Sequence, residues 1–251
     1  MAVSSRIEWT QATWNPVTGC TKVSDGCRHC YAERMARRLQ AMGSRKYARG
    51  FEVTTHHDAL GLPLTWHRPH EVFVNSMGDL FHDDVPAEFI LEVFETMRRA
   101  TQHRFQLLTK RAERLAALDR QLPWAGNIWM GVTVESAAYR HRIDCLRHTG
   151  AQIKFLSLEP LLGPLPGLDL VGIDWVIVGG ESGPGARPML PSWAAAVRDD
   201  CLSSHVPFFF KQWGGISKKR AGRLLEGRLW TERPVSPLSQ ISFAIPESAL
   251  A

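Results

Sequence analysis

Short runs of β-branched and aromatic residues alternate with helix-patterned stretches along most of this chain, and that alternation limits the fold more than any other feature. The runs are Glu71-Val-Phe-Val74, Arg104-Phe-Gln-Leu-Leu-Thr109, Asn127-Ile-Trp-Met-Gly-Val-Thr-Val134, Gln152-Ile-Lys-Phe-Leu-Ser-Leu158, Trp175-Val-Ile-Val178 and Pro207-Phe-Phe-Phe210. A first strand is expected to end near Trp14. Between the runs, Pro86 to Met97 opens with a proline suited to a first helical turn, and its apolar positions Phe89, Ile90, Val93, Phe94 and Met97 follow helical spacing. Ala112 to Leu122, Ser136 to His148 and Ser192 to Leu202 have the same character. The stretch after Leu158 is rich in Pro and Gly and predicts only a short turn. Strand and helix repeated in this way predict parallel strands joined by crossover helices. About seven strands in roughly 215 residues predict an α/β fold, a partial or complete parallel β/α barrel, with a doubly wound open sheet as the rival. The barrel domain is expected over residues 1–215, with a basic, partly irregular C-terminal extension over 216–251.

The second constraint is chemical. Cys20, Cys27 and Cys30 fall on one short stretch, and the whole chain has five cysteines. The gap Cys27-Arg28-His29-Cys30 lets neighbouring thiolates meet one metal centre. Ser24-Asp25-Gly26 in the longer gap are turn formers that fold the first cysteine back over the others. The run Ala32 to Met42 is rich in helix formers, so Cys30 is expected at a helix N-terminus, a position that favours negative charge. Three is an odd number and no leader precedes the motif, which argues against a disulfide framework. A structural zinc asks for four closed ligands, and His29 or a distant histidine is the candidate fourth. Three thiolates with an open fourth position suit an iron–sulfur cluster better.

Hydrophobic residues make up 44% of the 251-residue chain, enough to build a full core. No apolar run reaches membrane-spanning length, so no membrane partner is expected and a reducing cytoplasm is the expected compartment. The net charge of +5 is compatible with a nucleic acid as partner.

In parallel barrels the chemistry sits on loops at the C-terminal ends of strands. Read in order, those ends carry Asn15 and the three cysteines, then Ser76, Asp79 and His82, then Lys110, then Thr133 and Glu135, then Glu159, then Gly179, Gly180, Glu181 and Arg187, and finally Lys211 and Gln212. Each alone has an ordinary explanation as a cap or turn residue. Together they would surround one mouth. The glycine-rich stretch from Gly179 to Gly185 lacks the lysine spacing of a phosphate-binding P-loop.

The strings Ile7-Glu-Trp-Thr10, Thr13-Trp-Asn-Pro-Val-Thr-Gly-Cys20, Asn75-Ser-Met-Gly-Asp-Leu-Phe-His82, Phe105-Gln-Leu-Leu-Thr-Lys-Arg111, Gly131-Val-Thr-Val-Glu135, Leu158-Glu-Pro160, Gly179-Gly-Glu-Ser-Gly183 and Phe210-Lys-Gln-Trp-Gly214 resemble a phage- and bacterium-encoded family of three-cysteine-motif proteins of unknown function. That family is in turn similar to radical S-adenosylmethionine enzymes. The resemblance implies a four-iron four-sulfur cluster on Cys20, Cys27 and Cys30, with S-adenosylmethionine at the open iron. Strand order under that resemblance puts Ser76 and Asp79 near the cofactor's amino group, Thr133 and Glu135 near its ribose or carboxylate, and Gly179 and Gly180 near its adenine, with Glu181 as a further cofactor-binding candidate. Asn15, His82, Lys110, Glu159, Arg187, Lys211 and Gln212 are left as candidates for the substrate mouth. The first cysteine gap here holds six residues where that superfamily commonly has three, and His29 replaces its usual aromatic. The resemblance also implies a separately encoded protein partner. The alternative it leaves open is a non-catalytic binding protein stabilised by a metal or cluster.

Overall fold

A computed structural model describes residues 7–216 and 221–235; the basic cluster Lys218-Lys219-Arg220 and the proline-punctuated sequence beyond Val235 lie outside the described residues. The strands are β1 (Ala12–Trp14), β2 (Val17–Thr18), β3 (Thr54–Thr55), β4 (Glu71–Val74), β5 (Arg104–Thr109), β6 (Ile128–Thr133), β7 (Ile153–Leu158), β8 (Trp175–Gly179), β9 (Phe208–Gln212), β10 (Leu224–Leu225) and β11 (Arg228–Leu229). The α-helices are α1 (Tyr31–Ala41), α2 (Ala87–Arg99), α3 (Ala112–Leu118), α4 (His141–Arg147) and α5 (Pro191–Ser203).

Seven strands form one sheet in the order β1-β4-β5-β6-β7-β8-β9, and every neighbouring pair is parallel. Each main strand therefore lies beside its sequence predecessor, as in a barrel, with β1 and β9 as the two edges of a half-barrel. The rival doubly wound sheet would reverse strand order at a switch point, and this sheet has none. The crossover from β7 to β8 has no helix, in keeping with its proline and glycine content.

Helix α2 shows why the crossovers pack. Phe89, Ile90, Val93, Phe94 and Met97 are all buried, Glu88 occupies its first turn, and Arg98 and Arg99 its last, so the charges complement the helix dipole. Pro86 stands as the N-cap, one residue ahead of the helical turn the sequence suggests. The pattern over 136–148 resolves into a short 3-10 turn and then α4.

Strand alternation divides the core in two. Val72, Leu107, Met130, Val132, Leu156, Val176, Phe208 and Phe210 pack under the helices. Trp9, Trp129, Phe155, Trp175, Ile177 and Phe209 form a separate aromatic plug on the concave face. Trp175 stands at its centre, with ring centroids 6.3 Å from Trp9, 6.2 Å from Trp129, 5.8 Å from Phe155 and 5.9 Å from Phe209. These residues lie toward the N-terminal ends of their strands, so the plug closes the floor of the half-barrel.

The cysteine loop and α1 belong to an excursion between β2 and β3. Val17 pairs with Thr55 and Thr18 with Thr54, a two-residue antiparallel clasp that pins both ends of the excursion. Thr18 Oγ1 and His56 Nε2 reinforce it at 2.8 Å. Strands this short carry no periodicity, which is why the sequence did not announce them. Beyond residue 216, where the sequence pattern fades, β10 and β11 form a hairpin that caps the outer edge of β9. Phe210 N–H donates to the Trp230 carbonyl, and Trp175 Nε1–H donates to the Glu232 carbonyl at 2.8 Å. Leu225 and Trp230 are buried there. Among the described residues no helix is long and apolar enough to cross a membrane.

Candidate functional site

The same alternation that places Trp129 in the plug sends Gly131, Thr133 and Glu135 to the concave face. Phe155, Ser157 and Glu159 do likewise on the next strand, followed by Ile177 and Gly179, then Phe209 and Lys211. The floor is aromatic and the mouth is polar, so one strand face supplies both. Phe155 lies across Gly131, where a Cβ would collide with its ring.

The cysteine loop leans over this mouth and is tied to it at two places. Glu135, fully buried, accepts a hydrogen bond from the Ser24 hydroxyl, pairs with Arg142 at 3.0 Å and has Lys110 Nζ 3.6 Å away. Gly26 presses against the same carboxylate, which leaves no room for a Cβ. At the second place, Glu181 accepts from the Arg187 backbone N–H and Nε (both 2.9 Å) and Nη2 (2.6 Å), and lies 3.1 Å from His29 Nδ1. Arg187 Nη2 also donates to the Asp25 carbonyl at 2.9 Å. Two acids, from the ends of β6 and β8, thus grip residues 24–29 from either side.

Burial pushes the Glu181 carboxyl up, but the hydrogen bonds from Arg187 and His29 outweigh it and hold the group down at about 2, against an ordinary value of 4.5. A depressed carboxyl contributes stability above the unfolded value, and that contribution is lost as pH falls through the folded one. Acid unfolding followed by tryptophan fluorescence is therefore expected to show stability rising between pH 2 and 4.5, and Glu181→Gln is expected to flatten that rise. Parallel curves for the two proteins would show that Glu181 is not so held.

A third group organises the start of the loop. Arg111 donates to Cys20 Sγ at 3.4 Å and to Thr21 Oγ1 at 2.9 Å, and stands 3.5 Å from Asp79. Asp79 is itself bracketed: Thr109 Oγ1 donates to it at 2.7 Å, Phe81 N–H at 3.0 Å and Lys110 N–H at 3.1 Å. The carboxylate that the resemblance assigns to a ligand's ammonium is thus engaged in shaping the loop after β4. His82 Nδ1 accepts from Asp84 N–H, so its Nε2 carries the proton and meets Thr21 Oγ1 at 2.8 Å. Burial and the nearby Arg111 lower the pKa of His82, which keeps its ring neutral. Burial, with Asp79 adding, pushes the Cys20 thiol up to about 11, Arg111 offsetting only part.

The remaining candidates fall around the same rim. Asn15 Oδ1 accepts from Ser76 Oγ at 3.2 Å and Met77 N–H at 3.0 Å, joining the ends of β1 and β4. Glu159 accepts from Ser157 Oγ at 3.2 Å and pairs with Lys211 at 3.0 Å. Gln212 Nε2 donates to Ser182 Oγ at 2.6 Å. The space that Gly179 and Gly180 leave is filled by the chain itself: the Glu159 carboxylate lies over Gly179 and the Trp213 carbonyl over Gly180. Trp14 is buried under the excursion, its Nε1–H on the Ala59 carbonyl at 2.8 Å, and takes no part in the rim. In the sequence Ser24 stands out only as a turn former and Arg111 only as the end of a motif string, and Arg142 carries no signal. Arginine next to a strand end is common, and only the fold shows which carboxylate each one meets.

All three loop cysteines are free and partly exposed, and Cys30 is the N-cap of α1. As they stand, no three His, Cys, Asp or Glu side chains among the described residues are arranged to hold a metal ion. The donor chemistry nevertheless fits an anionic cluster. Three thiols share one loop, the Arg111 guanidinium reaches the first, and the Ser24 hydroxyl lies 3.6 Å from the sulfur of the second. Thr133 Oγ1 is buried without a hydrogen-bond partner at the end of β6, a polar atom still to be satisfied on the concave face.

A sequence profile described as a protein of unknown function, DUF5131, matches residues 4–234. The chain belongs to that family. No curated protein matches it. Among solved structures, spore photoproduct lyase complexed with dinucleoside spore photoproduct aligns with a TM-score of 0.44 and 12% identity. The alignment covers 73% of this chain and 58% of the lyase chain, so this member of the family spans under two thirds of that protein's length.

Proposed function

We propose that this protein is an iron–sulfur enzyme of the radical S-adenosylmethionine type. The observation that carries the reading is the placement of three free thiols on one loop over the C-terminal, polar mouth of a parallel half-barrel. Cys20, Cys27 and Cys30 would hold a four-iron four-sulfur cluster, which when bound supplies one electron to a sulfonium cofactor. The chain's own part is to position and shield. Glu135 and Glu181 fix the loop, and Arg111 offsets negative charge at Cys20. Thr133 Oγ1 offers an unspent hydrogen bond toward a bound sugar or carboxylate. The aromatic floor keeps water out from below.

The test is anaerobic purification with iron, sulfide and zinc quantitation, then reduction with S-adenosylmethionine and chromatography for 5′-deoxyadenosine. Iron, sulfide and 5′-deoxyadenosine are expected. The variant Cys20→Ala/Cys27→Ala/Cys30→Ala is expected to lose all three while keeping the far-ultraviolet circular dichroism of the parent. A loaded cluster that never yields 5′-deoxyadenosine would sink the reading.

A second reading is a binding protein that acts with a separately encoded partner. It is favoured by a loop that Glu135 and Glu181 already hold in place, with no three metal-ligating side chains among the described residues arranged around one ion. Stoichiometric zinc with no iron would select it.

A further inference from the structure

The positive charge of this protein is concentrated in one place. Between Thr21 and Gly50 the sequence has eight lysines and arginines against two acidic residues, a net charge of +6, whereas the whole chain carries +5. That segment is the cysteine loop, α1 and the turn after it. Three of its eight cations are not spent on the protein: Arg28, Arg38 and Arg45 are exposed, and their side chains have no partner among the described residues. Arg34 reaches the Ser182 carbonyl at 3.1 Å, which fixes this side of α1 beside the loop after β8.

Helical spacing adds a second feature. Tyr31, Arg34 and Arg38, at i, i+3 and i+7, share one face of α1. Tyr31 follows Cys30 directly, and it is 62% exposed. Past the helix, Arg45 and Lys46 line a cleft of about 500 Å³ with Thr54 and His56, and Asp58 is the one acid on its wall. Lys46 Nζ donates to the Asn15 carbonyl at 2.7 Å, so the cleft adjoins the end of β1 and hence the mouth. The apolar face of α1 is already used, since Met35, Ala36 and Leu39 pack with Tyr47, Phe51 and Met77. What α1 turns outward is cationic with one aromatic ring, whereas a lipid surface would need an apolar face.

We infer that α1 and the adjoining cleft form a binding surface for single-stranded nucleic acid, with the phosphate backbone on Arg38 and Arg45 and an unpaired base stacked on Tyr31. A backbone track of cations interleaved with an exposed aromatic is what a single strand needs, whereas a duplex hides its base faces. The inference names the substrate class for the mouth described above and rests on that reading for the word substrate alone. Binding needs no cluster, so its failure and the failure of the radical reading are separable.

The experiment is fluorescence anisotropy of the full chain with a labelled 20-nucleotide DNA, single-stranded and duplex, over a salt series. Single-strand binding that weakens with salt is expected. Arg38→Gln/Arg45→Gln should lower the slope of log K against log salt by about 1.4, since each lost phosphate contact removes about 0.7. Tyr31→Ala should weaken single-strand binding roughly 5- to 150-fold. Arg120→Gln, on an exposed turn after α3, should leave both unchanged. No single-strand binding at low salt would overturn the proposal. So would a duplex preferred over the single strand, an Arg38/Arg45 double variant that binds like the parent, or capture by anionic phosphatidylserine vesicles in place of DNA.

Discussion

Trp175→Ala is expected to destabilise the protein by about 3–5 kcal/mol, the range for emptying a buried aromatic site. Trp175 is fully buried, and four aromatic rings surround it at centroid distances from 5.8 to 6.3 Å. Edge-to-face packing, shown by three of the four pairs, adds to the transfer term, and the neighbours come from three different strands and the turn before β1, so they cannot all collapse into the gap. The indole also ties down the C-terminal segment through the Glu232 carbonyl, which the substitution leaves without its donor. For a chain of this size the melting temperature should fall by roughly 6–20 °C. Thermal melts by near-ultraviolet circular dichroism measure it, with Trp175→Phe as a milder companion. A melt for Trp175→Ala within about 2 °C of the parent would falsify the description of the plug as the structural floor of the mouth.

Glu135→Ala is expected to cost a similar amount, about 3–5 kcal/mol, for a different reason. The carboxylate is fully buried, and its removal strands Arg142, only 3% exposed, with one remaining acceptor in the Thr133 carbonyl. An unpaired buried charge costs far more than the intact pair contributes. The local effect reaches the cysteines. Ser24 loses its acceptor and Gly26 loses the surface it leans on, so Cys27 should become more reactive. Urea denaturation reads the first effect, and the rate of thiol labelling of Cys20, Cys27 and Cys30 reads the second. Glu135→Gln keeps the shape and one acceptor and should fall between. Destabilisation without faster labelling would mean that Glu135 supports α4 but does not position the loop.

Much of the architecture was legible because its signals are local. A strand buried on both faces reads as a continuous run such as Trp175 to Val178, and a crossover helix announces itself by spacing such as Phe89, Ile90, Val93, Phe94 and Met97. Strand order then implied which polar residues gather at one end, and Thr133, Glu135, Glu159, Glu181 and Lys211 do lie around the mouth.

The partners of those residues were not legible. Asp79, Glu135 and Glu181 looked alike as acids following strands, yet each is held by a donor far along the chain, Thr109 for the first, Ser24 for the second and His29 for the third, with Arg142 and Arg187 joining the last two from the next turn of chain. The β2–β3 clasp and the β10–β11 hairpin escaped notice because two-residue strands have no period to detect. The sequence by itself determined the parallel sheet, its helical layer and the clustering of three thiols at the head of the first strand, because hydrophobic periodicity and covalent spacing are properties of neighbours along the chain. Only the tertiary structure decided that the acids of the mouth hold the cysteine loop, and that the unspent arginines collect beside it. Both depend on which strand ends the half-barrel brings within a few ångströms, where burial makes each charge seek a partner.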